Sequence, residues 1–414
     1  MNKLHKFKYG KKGFTVSLPE KAVNLNIQEP LFCLTREQFI KDFYLSFPET
    51  LSSCNVASFA VAIVVADKTR WCDYKIYLPW VVDALEKKNI QKHQIKFFIA
   101  YGTHAEQSDE ECFAAYGEIY KNYEFIHHDC RDKNLFTCLG KTKRGTKIHV
   151  RKDILETDLI ITLGALSHHY FAGYGGGRKL LFPGLGYQPD IYHNHGLFLD
   201  KKSKTLALGC RPGNLENNPL ADDLKQMDDA LKIKQISIHG ILDSKARVCQ
   251  LVVGRSQTAF LNACHTLDYS YKTRDEKQYN LVIASCGGFP KDINFIQAHK
   301  AIHNAAMFVK DMGSLIIYAQ CPDGIGSDTF LEYFEFQSFR KAFNILADHY
   351  RGNGGTALSM MAKSSRINIF IITDLDDKVC RKMGMEKIDP CIETLLKGFQ
   401  GDVAGIDNAS LLVM

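Results

Sequence analysis

A chain of 414 residues is too long for one ordinary hydrophobic core, so two domains are expected. With 45% apolar and 24% charged residues it reads as globular, and no apolar run reaches the roughly 18 residues of a spanning helix. The net charge of +6 is not gathered into runs, so it suits a small anionic ligand at least as well as nucleic acid.

In chain order, the N-terminal stretch MNKLHKFKYGKKGFTVSLPE is basic but lacks the apolar centre and cleavage site of a signal peptide, and reads as folded chain. Apolar runs rich in Val, Ile and Phe follow at 59–66 (FAVAIVVA), 95–101 (IKFFIAY), 158–165 (DLIITLGA), 279–286 (YNLVIASC), 313–320 (GSLIIYAQ) and 367–373 (INIFIIT). Continuous apolarity of this length predicts strands buried on both faces. Helix-like segments such as YLPWVVDALEKKN and FIQAHKAIHNAAMFVKD alternate with them, which implies βαβ units. The polar stretch CHTLDYSYKTRDEKQ, 264–278, separates two such sets. The expected fold is α/β with two domains, each a largely parallel sheet flanked by helices, and an active site in the cleft between them. Residues 1–265 form the first domain, 266–278 a linker and 279–414 the second; no internal repeat is evident. Thirteen cysteines without a CxxC pair fit buried reduced thiols and a cytoplasmic location.

Chemistry concentrates where the strands end. DKTR (67–70) follows the first run, GTH (102–104) the second, LSHHYFAGYGGGRK (166–179) the third, and GGFPKDINFIQAHK (287–300) the fourth. Open α/β sheets bind ligands beyond the carboxyl ends of their strands. Asp67, Arg70, His104, His168 or His169, Lys179, Gln297 and Lys300 are therefore expected to face one crevice.

The glycine cluster fits neither familiar phosphate loop. A P-loop lysine follows glycine and precedes a hydroxyl, whereas Lys179 lies between Arg178 and Leu180. Counted from Gly173, the sixth place of a GxGxxG pattern is Arg178. The glycines still allow backbone amides to approach an anion closely. A lysine amine is also a usual point of covalent attachment for a carbonyl-type cofactor, although a solvated surface amine is the ordinary reading. His104 and His169 have the titration range of general acids or bases. His193 and His195 in YHNHG would share a metal if that segment were a strand, but diverge if it is a helix. HHDC (127–130) has ligand-type residues with nothing around it to support a site. Gln297 and Lys300, three apart on a helix, suit a carboxylate and a hydroxyl or keto oxygen, while His299 and His303 face solvent or packing. Arg70 can clamp a carboxylate or phosphate through two hydrogen bonds.

Together these blocks resemble the lactate racemase family, which uses a nickel-pincer nucleotide. The resemblance runs from YGKKGFTVSLPE to FIITDL. It rests on Asp67–Arg70, Gly102–His104, His169 through Lys179, Asn194-His195 and GGFPKDINFIQAHKA, in the family's order. It implies racemisation or epimerisation of a 2-hydroxy acid, lactate-like by preference, by reversible hydride transfer through a 2-keto acid. Lys179 would tether the cofactor, His195 would ligate nickel, and His104 and His169 would be paired acid/base groups. Asp67, Thr69 and Arg70 would contact the cofactor; Arg70, Gln297 and Lys300 would contact the substrate. Cofactor-making proteins would act in trans, with no nucleic-acid or membrane partner.

Three residues depart from the family pattern: Trp71 where proline is usual, Ser167 before the histidine, and Arg178. The segment HYRGNGGTALSM (349–360) also lacks the family's substrate-side aromatic. Trp71 and this segment bear on substrate choice, so malate, an aromatic 2-hydroxy acid or a sugar acid are alternatives. Other readings are a cofactor-free binding paralogue and a zinc hydrolase built on His168, His169, His193 and His195; the last lacks clustered His/Glu spacing.

Overall fold

The computed structural model describes residues 3–47, 59–274 and 276–414. It is α/β, with two six-stranded sheets in two compact units. Unit A comprises Glu29–His195 and Asn214–Tyr269; unit B comprises the N-terminal residues through Gln28, Gly196–Gly213 and Ser270–Met414.

In unit A the sheet runs in the order Val248–Gly254, Lys234–Leu242, Leu159–Ala165, Val61–Ala66, Ile95–Ala100, Glu124–His127. All neighbours are parallel except the edge pair Val248–Gly254 and Lys234–Leu242. All six residues of Val61–Ala66 are buried, as the apolar run predicts for a central strand covered on both faces. Helix Tyr74–Glu86 buries Tyr77, Leu78, Val81, Val82 and Leu85 in the same core as Ile63, Phe97 and Ile161. Truncating one of these large side chains to alanine would cost about 2–5 kcal/mol. From Val61–Ala66 the chain steps outward to Ile95–Ala100 and Glu124–His127, then returns to the other side at Leu159–Ala165. The strand order thus reverses between Val61–Ala66 and Leu159–Ala165, and open α/β sheets bind ligands beyond the carboxyl ends of the strands that flank such a reversal.

In unit B the order is Glu386–Lys387, Asn368–Ile372, Val309–Tyr318, Tyr279–Ser285, Val403–Ile406, Val23–Leu25, all parallel. The hairpin Lys3–Tyr9 with Lys12–Leu18 packs on it through Phe7, which stacks on Tyr318 at 5.2 Å between ring centroids. Helix Phe295–Met307 follows the strand Tyr279–Ser285 and is capped by the Asn294 side chain, which accepts from Gln297 N at 3.0 Å.

This division differs from the linear partition 1–265, 266–278, 279–414. Residues 264–271 complete the helix Ser256–Tyr271 and are not a linker there. Val23–Leu25 pairs with Val403–Ile406, and Phe198 packs on Tyr350 and beside Gly355. Hydrogen-bonded pairing and side-chain packing assign these segments to unit B, and sequence distance has no part in either. The twelve described cysteines are free, and no described helix is long and apolar enough to cross a membrane.

Candidate active site

The reversal point in unit A lies between DKTR and the glycine-rich hairpin, and most of the residues singled out by sequence collect there. Asp67 is 3% exposed at the end of Val61–Ala66. Its Oδ1 accepts from Thr69 N at 2.8 Å and Thr69 Oγ1 at 2.6 Å, a turn built on the aspartate's own side chain. Its Oδ2 lies 2.5 Å from His104 Nδ1. Burial by itself raises the Asp67 carboxyl, but hydrogen bonds from His104 and Thr69 prevail and hold it below the ordinary range. The carboxylate is ionised, so His104 Nδ1 is the donor and Nε2 of a neutral ring carries the lone pair. Arg70 Nη1 donates to Thr69 O and Oγ1, both at 3.1 Å. Asp67 therefore meets His104 and Thr69 in this structure, a contact that the assignment of Asp67, Thr69 and Arg70 to the cofactor does not anticipate.

After Leu159–Ala165 the chain forms a short hairpin, Ser167–His169 paired with Gly173–Gly175. Adjacent strand residues point to opposite faces, and the two histidines divide accordingly. His168 Nε2 bonds Asp268 Oδ1 at 2.8 Å, while Tyr174 donates to Asp268 Oδ2 at 2.8 Å. This clamp fastens the hairpin to the helix Ser256–Tyr271 across about a hundred residues of sequence, so no local motif announces it. His169 Nδ1 receives the backbone N–H groups of Phe171 and Ala172 at 3.2 and 3.1 Å, and its ring stacks on Tyr170 at 4.9 Å.

The glycines make room for the chain's own backbone. At Gly176, with φ +85°, a Cβ would lie 2.1 Å from the Ala165 carbonyl oxygen; at Gly173, with φ +77°, 2.2 Å from that of Asn214. Gly176→Ala is expected to lower the unfolding free energy by about 2 kcal/mol or more, from left-handed strain plus a clash that a backbone cannot relieve. A urea unfolding midpoint equal to wild type would contradict this.

Lys179 lies in the turn Gly177–Leu180, and protein encloses most of its side chain. Burial, reinforced by the Arg70 and Arg178 guanidinium groups, pushes its ammonium down to about 7. Arg178 is itself buried, with its guanidinium 4.9 Å from the Phe260 ring centroid.

A lysine depressed in the folded state lowers stability most below pH 7, where the buried ammonium must be protonated. The penalty fades as pH rises toward the unfolded value of about 10.4. Lys179→Met is therefore expected to raise the melting temperature of the cofactor-free protein, more at pH 6 than at pH 9. Calorimetry at the two pH values tests the sign.

The segment YHNHG is helical, within Gln188–Gly196, so His193 and His195 diverge. His193 is exposed and meets the Arg144 carbonyl at 3.2 Å. His195 donates from Nδ1 to the Ile191 carbonyl at 2.6 Å, which leaves the lone pair of the neutral ring on Nε2. Burial and the neighbouring Lys179 push its pKa down to about 4, so the ring is neutral at physiological pH. Its helix is anchored by Asp190 to His149 Nδ1 at 2.6 Å, and by Asn194 to the buried Asp223 at 2.9 Å, where Thr146 also donates. Sequence reading missed these anchors because their partners lie on distant segments.

Lys179 thus senses Arg70, and His195 senses Lys179, while His104 joins Asp67 at the same end of the sheet. Gln297 and Lys300 lie in unit B on helix Phe295–Met307, with Lys300 Nζ donating to Gln297 Oε1 at 2.6 Å. On the same helix His299 is buried and meets Lys363 at 3.5 Å, and His303 meets Ser359 at 3.3 Å; both pack inward. His127 and His128 pair with Tyr101 and with the Gly186 carbonyl. No group of three or more His, Cys, Asp or Glu among the described residues is arranged to hold a metal. A groove of about 730 Å³ lined by Lys75, Pro79, Lys92, Phe113 and Tyr123 lies elsewhere on unit A and includes none of these residues.

An open, mainly parallel sheet with an enclosed amine, an imidazole and an Asp–His pair at its strand-order reversal is of the α/β class with a switch point. Comparison with known proteins narrows this class. Residues 9–207 match the lactate racemase N-terminal domain model and residues 274–400 the lactate racemase C-terminal domain model. The chain belongs to the lactate racemase family. It is 32% identical over 276 residues to a lactate racemase of Thermoanaerobacterium thermosaccharolyticum, covering 66% of this chain and 63% of that protein. A lactate racemase of Lactiplantibacillus plantarum is 28% identical over 65% of this chain and 62% of its own length. The aligned part therefore spans somewhat less than two thirds of each relative. In fold, the chain is similar to the lactate racemase apoprotein structure from T. thermosaccharolyticum, with a TM-score of 0.87, 24% identity and 99% coverage of both chains. A Thermotoga maritima protein is similar with a TM-score of 0.65 at 14% identity, over 93% of this chain and 99% of its own.

Proposed function

We propose that this protein is a nickel-dependent racemase or epimerase of a 2-hydroxy acid, with a lactate-like substrate, and that Lys179 tethers a nickel-pincer nucleotide. The observation that carries the reading is the enclosed Lys179 amine, depressed to about 7 and electrostatically coupled to a neutral His195 and to Arg70. A neutral amine is the nucleophilic form, and a desolvated pocket is where lysine acquires it. The donor set fits the group as well. A cofactor that brings its own sulfur and carbon donors needs a single imidazole from the protein, and His195 offers Nε2 while its Nδ1 is fixed by a carbonyl.

Inverting a 2-hydroxy acid by removing its C2 proton is difficult, because a C–H beside a carboxylate is barely acidic. When bound, the nucleotide supplies a carbon that takes hydride from C2 and returns it. The chain's residues do the rest. His104, backed by the Asp67 carboxylate, takes the hydroxyl proton through Nε2 and gives it back. His169 addresses the substrate oxygen from the hairpin. Arg70 and Lys300 balance the carboxylate and the developing alkoxide, and Gln297 adds an amide hydrogen bond. Asp67, Thr69 and Arg70 form one hydrogen-bonded turn and would contact the cofactor. Proteins that build the nucleotide act in trans.

The test is turnover of enantiopure lactate, and of malate for comparison, in heavy water by protein co-produced with the cofactor-making enzymes. Racemisation is expected without deuterium at C2. Deuterium entering C2 during inversion would establish proton abstraction instead and remove the hydride reading.

A further inference from the structure

The strands Val61–Ala66 and Ile95–Ala100 pair in parallel as far as Ala66 and Ala100, where the ladder ends. Beyond that point no sheet hydrogen bond fixes the spacing of the two turns that follow. Side chains set it instead, at two adjacent residues. Asp67 Oδ2 lies 2.5 Å from His104 Nδ1, and the backbone N–H of Lys68 donates to Gln107 Oε1 at 2.8 Å. The turn after one strand is thus gripped twice by the loop after its neighbour.

Of the two grips, the one at Gln107 is enclosed and directed at main chain. Gln107 is only 4% exposed. Its backbone N–H donates to Tyr101 Oη at 3.2 Å, and its Nε2 donates to Cys112 Sγ at 3.8 Å. An N–H of Lys68 can meet only the carbonyl end of the amide, so the side-chain orientation follows from its partners. The helix Asp109–Tyr116 begins just beyond Gln107 and reaches back to the same strand end, where Tyr116 Oη donates to the buried Ala66 carbonyl at 2.8 Å. Lys68 Nζ also pairs with Glu111, but both side chains are largely in water, where an ion pair contributes little. His104 itself is half-exposed. Packing alone therefore does not fix its ring, and its contact with Asp67 depends on how far apart the two main chains are held.

We propose that Gln107 is the positioning residue of the Asp67–His104 pair: it holds the Lys68 main chain, and with it the Asp67 carboxylate, at hydrogen-bond distance from His104. This rests on the racemase reading above, in which His104 exchanges the hydroxyl proton. Gln107 moves no proton and holds no substrate. Its effect reaches the reaction through the turn Asp67–Arg70 and the orientation of one imidazole.

Gln107→Met keeps the length and bulk of the side chain and removes the acceptor, whereas Gln107→Glu keeps an acceptor for Lys68. In the loaded enzyme Gln107→Met is expected to lower kcat by about 10–100-fold with KM within about threefold, since a displacement of about 1 Å at the reacting groups costs about 100-fold. Gln107→Glu is expected to stay within about fivefold of wild type, because a carboxylate oxygen accepts from a backbone N–H as well as an amide does. Nitrogen NMR of His104 in the cofactor-free protein, in alkaline buffer, supplies a readout that a merely structural role would not move. Wild type and Gln107→Glu should show the ring protonated on Nδ1, and Gln107→Met a mixture of the two tautomers.

Wild-type kcat in Gln107→Met overturns the proposal, and so does a rise in KM at unchanged kcat. Collapse of Gln107→Glu to the level of Gln107→Met overturns it as well, as does a Gln107→Met protein whose activity and melting temperature fall together while His104 stays protonated on Nδ1. Wild-type protein that carries no adduct and inverts no hydroxy acid would instead remove the racemase reading, and the NMR comparison would still decide whether Gln107 holds the pair.

Discussion

Lys179→Ala is expected to leave a folded protein that carries no covalent cofactor and whose racemase activity is lower by about 10⁴-fold or more, since the hydride chemistry belongs to the nucleotide. Intact-mass analysis after co-production with the cofactor-making enzymes should show the adduct on wild type and its absence on the variant. The expectation follows from where the lysine lies. Burial and two neighbouring guanidinium groups depress it to about 7, so much of it is an unprotonated amine at physiological pH. Truncation also removes a destabilising buried charge, so loss of fold does not explain loss of loading. A variant with the same mass increase as wild type would show that attachment lies elsewhere. Lys179→Arg sharpens the test: it keeps a cation at the site but no titrating amine, and should be as empty as the alanine variant.

Asp67→Asn is expected to lower kcat by about 10²–10⁴-fold while the adduct on Lys179 remains. The aspartate is almost fully buried and ionised, held by Thr69 on one oxygen and by His104 on the other. An amide in its place can turn its NH₂ toward His104 Nδ1, which moves the ring proton to Nε2 and removes the base. It also leaves no charge to stabilise the imidazolium. A purely structural role for Asp67 predicts a different outcome, in which activity and melting temperature fall together and the His104 tautomer stays as in wild type. Nitrogen NMR of His104 separates the two.

What was legible in the sequence depended on the distance over which the signal acts. The uninterrupted Val/Ile/Phe run at 59–66 could only be a strand covered on both faces, and it is the central strand of its sheet. Strand-end chemistry was legible for the same reason: a polar or glycine-rich turn directly after a buried run marks the carboxyl edge of a parallel sheet. That reasoning located DKTR, GTH and the glycine-rich segment, and these with Asn194-His195 and GGFPKDINFIQAHKA, in the family's order, carry the resemblance.

Other features needed tertiary structure. Asp67 and His104 lie 37 residues apart and read separately as a cofactor contact and an acid/base group; adjacent parallel strands make them one pair. The glycines suggested an anion cradle, yet Gly173 and Gly176 are required by the close approach of the chain's own carbonyls. The YHNHG segment was ambiguous between strand and helix because five residues do not display a period; its helical state separates His193 from His195. The unit boundary differed because Val23–Leu25 and Phe198 take their places by pairing and packing with segments more than a hundred residues away.

Composition and periodicity act within a few residues, and they determined this protein's strands, its fold class and the turns that carry its reactive groups. Which groups meet, which nitrogen of each histidine holds its proton, and how strongly Lys179 is desolvated are set by neighbours distant in the chain. Only the folded arrangement decides them, because hydrogen bonding and burial depend on distance in space.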